Sequence, residues 1–137
     1  MTNGYTMVGT RDLEKARAFY GPLFDKMGLE PCYSDEQVAS WGVLKDDRVP
    51  RFFVCYPYDG EAATVGNGAM TTFRAETASR VRELHALAMA GGGGNEGDPG
   101  FRPERYGEKF YVAYVRHPDG TRSLLPVTMG NLIHSWA

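Results

Sequence analysis

The side chains that most often carry out chemistry are few in this sequence, and their spacing matches no catalytic or metal centre. Cys32 and Cys55 are too few and too far apart for a zinc cluster or a disulfide framework, so we expect two reduced thiols. His85 falls in a predicted helix, His117 in a predicted turn and His134 near the end of the sequence. No two histidines are predicted to share a strand face, so a shared histidine centre is not indicated.

Four consecutive glycines, Gly91–Gly94, raise the question of a phosphate-binding loop. Such a loop needs a Lys-Ser or Lys-Thr pair and a helix that begins directly after it, and the sequence predicts neither. The run is instead typical of a flexible exit from a helix.

Length and charge restrict the classes of protein and of partner. The chain has 137 residues, which is typical of one domain with a full hydrophobic core. Its formal net charge is −2, so no basic surplus would attract nucleic acid or an anionic membrane. No apolar run is long enough to span a membrane, and Met1–Gly4 does not begin a signal peptide. We therefore expect a cytoplasmic protein.

The first half of the chain is predicted to hold a strand, a helix and three further strands. The helix takes Thr10 or Asp12 as its N-cap, is expected to break or kink near Gly21 because of Pro22, and ends at Gly28. The predicted strands are 7–10, 31–34, 38–45 and 51–56.

The second half repeats this order. Residues 95–106 are predicted to form a loop with at most one edge strand, because Pro99 and Pro103 interrupt it. The other predicted elements are a strand at 70–75, a helix at 76–90, and a hairpin of 110–116 and 122–127 around the turn 117–120.

The repeat has a definite register. A shift of 65 positions places Tyr5 on Met70, and a shift of 71 places Arg51 on Arg122 and Phe53 on Leu124. The larger second shift requires six extra residues in the second half, for which the glycine run is the natural place. The chain therefore reads as β-α-β-β-β twice.

Three segments in this order resemble the vicinal oxygen chelate superfamily, which includes glyoxalase I, bleomycin and fosfomycin resistance proteins, and extradiol dioxygenases. Thr10–Tyr20 (TRDLEKARAFY) is similar to the family's D-L-x-x-A-x-x-F-Y at the start of its helix. Gly66–Ala75 (GNGAMTTFRA) is similar to G-x-G-x-H-x-A-F-x-A, and Tyr114–Gly120 (YVRHPDG) is similar to F-x-x-D-P-D-G. The likeness covers residues 5–127.

The resemblance implies an α+β fold in which two βαβββ modules form a curled eight-stranded sheet around a cleft, with the helices on the convex side. The whole chain, 1–137, would then be a single domain. Its parts would be module 1 at 5–57, a linker at 58–67, module 2 at 68–127 and a C-terminal tail at 128–137. Enzymes of the family hold a divalent metal in the cleft through His, Glu or Gln on the first and last strand of each module.

The family's four ligand positions fall on residues that are poor ligands in this sequence. Position by position, the resemblance places them at Tyr5, Phe53, Met70 and Leu124. Phe and Leu have no donor atom, Met is a poor ligand for Zn, Mg, Mn or Fe(II), and one tyrosine does not hold a divalent ion. We therefore expect no metal and no other cofactor.

An apolar and aromatic cleft without metal could still bind a small molecule. Trp41 would supply a stacking wall, and Arg51, Arg74 or Arg122 would pair with a negative charge. The residues expected to line the cleft are Tyr5, Met7, Trp41, Arg51, Phe53, Cys55, Met70, Thr72, Arg74, Arg122 and Leu124. The number of residues in the turn of the last hairpin decides which further tyrosine lines the cleft. A three-residue turn favours Tyr114, and a two-residue turn favours Tyr111.

The first hypothesis for function is a glyoxalase- or bleomycin-resistance-like protein that binds a small organic molecule in a metal-free cleft. The alternative is a glyoxalase-like lyase or isomerase with a non-standard site, for which Tyr5 and Cys55 would be the titrating candidates. A third hypothesis is a structural partner domain, which a cleft filled by its own side chains would favour. Leu132, Ile133 and Trp136 give the tail an apolar character, which together with the family's habit of pairing predicts a homodimer.

Overall fold

The computed structural model describes the backbone of residues 4–66, 68–102 and 107–128, with the side chains of all of these except 107–109 and 122–128. Within these residues, two helices and eight strands follow one another in the order β-α-β-β-β twice. The elements are β1 (Tyr5–Gly9), α1 (Leu13–Lys26), β2 (Glu30–Pro31), β3 (Val38–Gly42), β4 (Arg51–Cys55), β5 (Met70–Thr72), α2 (Ala78–Ala90), β6 (Gly94–Arg102), β7 (Gly107–Arg116) and β8 (Arg122–Thr128). The predicted α+β class is confirmed.

Two compact units make up the chain, and each holds one four-stranded sheet. The first unit is the first βαβββ module together with the turn Pro118–Thr121, and the second is the second module without that turn. The strand orders are β1-β4-β3-β2 and β5-β8-β7-β6, so each sheet pairs its first and last strands in parallel. The single curled sheet and the single domain stay predictions.

The predicted repeat register is confirmed by the strand pairing. Tyr5 lies opposite Arg51 in the first sheet, and Met70 lies opposite Arg122 in the second, as the shifts of 65 and 71 require. The two modules therefore correspond strand by strand.

Helix α1 begins at an aspartate and covers one face of the first sheet. Of the two candidate N-caps, Asp12 takes the role, because its Oδ1 accepts a hydrogen bond from the Lys15 N–H at 3.1 Å. The helix buries Phe19, Tyr20 and Phe24 against the sheet. Burial of the Tyr20 phenol, and secondarily the charge of Asp119, raises its pKa above the ordinary value.

Two prolines were expected to affect elements, and the outcomes differ, since the edge strand allowed around Pro99 is confirmed. Helix α1 continues through Pro22 to Lys26, so the predicted break near Gly21 is wrong. The proline is exposed, and packing of the aromatic face compensates for its missing backbone donor. Pro99 lies inside β6, a nine-residue edge strand whose register shifts on either side of it. An edge position and bulges are where a strand tolerates proline.

The second unit repeats the layout with an aliphatic core. Thr77 caps α2 by accepting the Arg80 N–H at 3.0 Å, and Val81, Leu84 and Ala88 are its buried residues. They belong to a core that includes Ala113 and Val115 of β7. None of the helices in the described part is long and apolar enough to cross a membrane.

Candidate functional site

The face of the first sheet that is turned away from α1 is built by alternation. Phe52 packs on Tyr20 and Phe24 of the helix, so the neighbouring odd-numbered residues of β4 point to the opposite side. The register adds the partners of these residues on β1. We call this set the open face, and its members are Tyr5, Met7, Arg51, Phe53 and Cys55.

The open face exposes apolar side chains to solvent. Tyr5 is 60% exposed and Met7 is 51% exposed. The Tyr5 ring meets the Phe53 ring edge to face, with their centroids 5.1 Å apart. Exposed large apolar side chains that lie side by side are typical of a binding surface rather than of a filled core.

Trp41 does not belong to the open face, which corrects the prediction that it would be a wall of the cleft. Its register partner is Phe52, and it is 5% exposed. Its ring stacks on Phe24 at 5.1 Å under α1. The prediction placed Trp41 on the right strand but on the wrong face of the sheet. The pairing of β3 with β4 puts the Trp41 side chain on the same face as Phe52.

Arg51 is seated on a glycine of the neighbouring strand. A Cβ at Gly42 would lie 2.7 Å from the Arg51 Cγ, so the arginine stem occupies the space that a side chain would need. Its Nη2 donates to the Val43 carbonyl oxygen at 3.4 Å, which is a long hydrogen bond. Its Nε is shielded from solvent and has no hydrogen-bond partner among the described residues. An unpartnered buried donor costs about 1–3 kcal/mol, so this arrangement is unfavourable without a further acceptor.

The other end of the open face is covered by the linker. Cys55 lies opposite Gly9, and a Cβ at Gly9 would be 3.0 Å from the Ala63 Cβ. Burial raises the pKa of the Cys55 thiol above its ordinary value of 9.0. The thiol is therefore protonated at neutral pH and is a weak nucleophile.

The second unit contributes its own predicted site residues. Met70, Thr72 and Arg74 are all exposed. The side chains of Arg122 and Leu124 lie outside the described residues, but their backbone pairs with Met70 and Thr72. The structure thus brings the predicted residues of β5 and β8 into register.

The last hairpin resolves the choice between the two tyrosines. Its last pair is Arg116 with Arg122, so the loop has an odd number of residues, and Tyr114 is the register partner of Leu124. Tyr111 lies on the other side of β7, where its hydroxyl accepts a hydrogen bond from Arg82 of α2 at 3.3 Å. The prediction that Tyr111 could line the site is therefore wrong, and Tyr114 is retained.

The ligand positions implied by the resemblance do not fit a divalent metal. Tyr5 and Phe53 lie in ring contact, and Met70 presents only a thioether. Across the part of the chain that the structure describes, no group of three or more His, Cys, Asp or Glu side chains could hold a metal ion. His85 Nε2 instead lies 3.0 Å from Asn95 Oδ1, and His117 is buried. His134 lies outside the described residues.

A second feature of the first unit was not predicted. The Asp119 carboxylate accepts the Thr10 hydroxyl at 2.6 Å and the Arg11 N–H at 3.0 Å. Next to these residues is a cavity of about 400 Å³, lined by Thr10, Arg11, Gln37, Tyr56, Pro57, Gly60, Glu61 and Ala62. Both the Thr10–Tyr20 and the Tyr114–Gly120 segments were noted in the sequence, but only the tertiary structure joins them.

Comparisons with solved structures agree with this architecture. The chain is 31% identical to a glyoxalase/bleomycin resistance protein from Albidiferax ferrireducens T118, over 90% of this chain and 95% of that one, with a TM-score of 0.78. It is 18% identical to a glyoxalase-related enzyme from Fulvimarina pelagi, over 92% and 87% of the two chains, with a TM-score of 0.71. It is 20% identical to a lactoylglutathione lyase from Agrobacterium tumefaciens, over 91% and 92%, with a TM-score of 0.63.

No protein-family model matches the chain, and no curated protein sequence matches it. The three structures share the fold described above, and the first also shares sequence over nearly the full length of both chains. With the duplicated βαβββ order and its confirmed register, the sequence and the structure lead to one conclusion. The chain belongs to the vicinal oxygen chelate superfamily, among the glyoxalase/bleomycin resistance proteins.

Proposed function

We propose that this protein binds a small organic molecule on the open face of its first sheet, without a metal ion. The observation that carries the proposal is the exposure of Tyr5 and Met7 beside Phe53. The resemblance assigns Tyr5 and Phe53 to positions where enzymes of the family place metal ligands. An apolar surface with a few polar groups is what most small-molecule sites offer.

The proposed binding site also includes residues of the second module. There the exposed Met70 and Thr72 occupy the positions that correspond to Tyr5 and Met7 under the repeat. A curled eight-stranded sheet around a cleft, with the helices on its convex side, would add these residues to the same surface.

Binding is favoured over catalysis by the state of the Cys55 thiol, one of the two titrating candidates. Turnover without a metal needs a base or nucleophile, and Cys55 has its pKa raised by burial. The alternative, a glyoxalase-like lyase or isomerase, would therefore require a group other than this thiol.

The metal-free part of the proposal is tested by elemental analysis of the purified protein, with thermal unfolding in Zn²⁺, Ni²⁺, Mn²⁺ and Fe²⁺. A metal that prefers the native state raises the unfolding temperature by mass action. We expect no stoichiometric metal and no shift. About one equivalent of metal per chain, a clear shift, and an activity that chelation abolishes would establish the lyase or isomerase alternative instead.

The binding part is tested by a thermal-shift screen of small aromatic compounds, followed by titration of each hit against two variants. Met7→Glu places a charge on the open face and should abolish binding. Leu44→Glu is the matched control, because Leu44 is a comparably exposed apolar residue outside that face, at 56% exposure. Equal loss of binding in both variants, or none in Met7→Glu, would place the ligand elsewhere.

A further inference from the structure

Arg51 carries a positive charge whose hydrogen-bonding capacity is almost unused. A guanidinium group has five N–H donors, and with the described residues Arg51 makes one long hydrogen bond, of 3.4 Å from Nη2 to the Val43 carbonyl oxygen. Nε has no partner among the described residues, and no carboxylate of these residues forms an ion pair with Arg51. On β2, which is separated from β4 by β3, the Glu30 carboxylate accepts a hydrogen bond from the Leu44 N–H at 2.9 Å.

The packing of the sheet fixes the position of the Arg51 guanidinium group. Gly42 leaves the room that the arginine stem fills, since a Cβ there would lie 2.7 Å from Cγ. The stem is therefore held across β3, and the guanidinium group is kept at the edge of the open face. An orienting contact of this kind reduces the entropy lost when an arginine binds an anion.

The neighbour of Arg51 on the open face is aromatic. Tyr5 is its register partner on β1, and Phe53 lies edge to face with Tyr5 at 5.1 Å. A ligand that meets this surface encounters two aromatic rings on one side and an incompletely bonded guanidinium group on the other. Arginine pairs best with a planar anion that accepts two parallel hydrogen bonds, which is the geometry of a carboxylate.

We infer that the open face selects an aromatic carboxylate, with Arg51 as the residue that binds its negative group. The inference rests on the proposed function and adds the chemical class of the ligand. The carboxylate would accept two parallel hydrogen bonds from Nη1 and Nη2, with Nη2 shared with Val43, while the ring of the ligand would pack on Tyr5 and Phe53.

The experiment compares 1-naphthoate with its neutral amide, 1-naphthamide, by isothermal titration calorimetry. The two probes have the same ring and nearly the same shape, so their difference in affinity reports the charge. For the wild-type protein we expect naphthoate to bind about tenfold more tightly or better. In Arg51→Met the two probes should bind equally.

Two further variants control for charge and for folding. Arg48→Met removes one positive charge from a side chain that is 88% exposed and paired with Asp46, and it should keep the full preference for naphthoate. Gly42→Ala keeps every charge but displaces the Arg51 stem, so it should reduce the preference without weakening naphthamide binding. It also provides the test if Arg51→Met fails to show a cooperative thermal transition.

The outcomes distinguish a failure of the carboxylate inference from a failure of the proposed function. Equal binding of both probes by the wild type, or a preference that survives in Arg51→Met, overturns the inference and leaves the proposed function standing. If neither probe binds the wild type at millimolar concentration, the inference and the proposal of an aromatic-binding face fail together.

Discussion

At the scale of single residues, Asp119 has the clearest structural role. Its two carboxylate oxygens accept from the Thr10 hydroxyl and the Arg11 N–H, which lie between β1 and the cap of α1. Thr10 is fully buried, so its hydroxyl has no access to water as a substitute partner. The aspartate of the Pro-Asp-Gly turn therefore holds that turn onto the start of the helix.

Replacing this carboxylate should destabilise the protein. Asp119→Asn keeps the shape but removes the charge and one acceptor, so we expect a loss of roughly 1–3 kcal/mol in the free energy of unfolding in urea. Asp47→Asn is the matched control, because Asp47 is exposed, and it should change the free energy by less than about 0.5 kcal/mol. An equal effect of both substitutions would show that only net charge matters.

Cys55 should behave as an inert thiol. Because burial raises its pKa above 9.0, its contribution to stability is present below that pH and is lost as the pH rises through the raised value. In a Cys32→Ser background, we expect iodoacetamide to alkylate the folded protein at pH 8 about tenfold more slowly than the urea-unfolded chain. Faster reaction in the folded state would identify an activated thiol and revive the enzyme alternative.

At the scale of elements, the two helices begin in the same way although their cores differ. Asp12 and Thr77 each accept the N–H three residues further on, at 3.1 and 3.0 Å. Behind these caps, α1 packs aromatic rings on its sheet, whereas α2 packs Val81, Leu84 and Ala88. The two modules therefore share the way in which their helices begin but differ in the side chains that the helices bury.

The caps should contribute measurably to stability. Asp12→Ala removes the acceptor for the Lys15 N–H, and we expect a loss of about 1 kcal/mol in the free energy of unfolding. Asp12→Asn retains a side-chain oxygen and should stay within about 0.5 kcal/mol of the wild type. Both are measured by urea titration followed by circular dichroism. A larger loss in Asp12→Asn than in Asp12→Ala would contradict the capping role.

At the scale of the whole molecule, each module forms a compact unit around its own four-stranded sheet. The apolar residues of the tail at 129–137 lie outside the described residues, and the homodimer stays a prediction that the tail motivates. Among the described residues, the pairs between β7 and β8 run as far as Phe110 with Thr128.

We expect sedimentation equilibrium to give twice the mass of one chain, because an apolar tail on a small domain gains stability by packing on a partner. A chain ending at Thr128 should sediment as a monomer with an unchanged far-ultraviolet spectrum per residue. A full-length monomer at micromolar concentration would refute the dimer, and a truncated dimer would place the interface outside the tail.

Much of the architecture follows from the sequence alone, because it depends on contacts between near neighbours in the chain. The residue pattern predicted helix α1, and the comparison of the two halves predicted that Tyr5 corresponds to Met70 and Arg51 to Arg122, which the strand pairing confirms. Local chemistry also restricted the cap of α1 to two residues. The ligand positions were assigned by likeness to the family, and the sequence showed that they lack metal donors.

Only the tertiary structure decided which face each strand residue occupies. Trp41 turned under α1 because β3 pairs with β4 in one register, and Tyr114 replaced Tyr111 because the loop of the last hairpin has an odd number of residues. The contact of the Arg51 stem with Gly42 depends on the pairing of two strands, and the hydrogen bond from Thr10 to Asp119 joins residues 109 positions apart. Successive side chains of a strand point to opposite faces, so a shift of one residue in the register moves each of them to the other face. Only the pairing of strands in the tertiary structure determines that register.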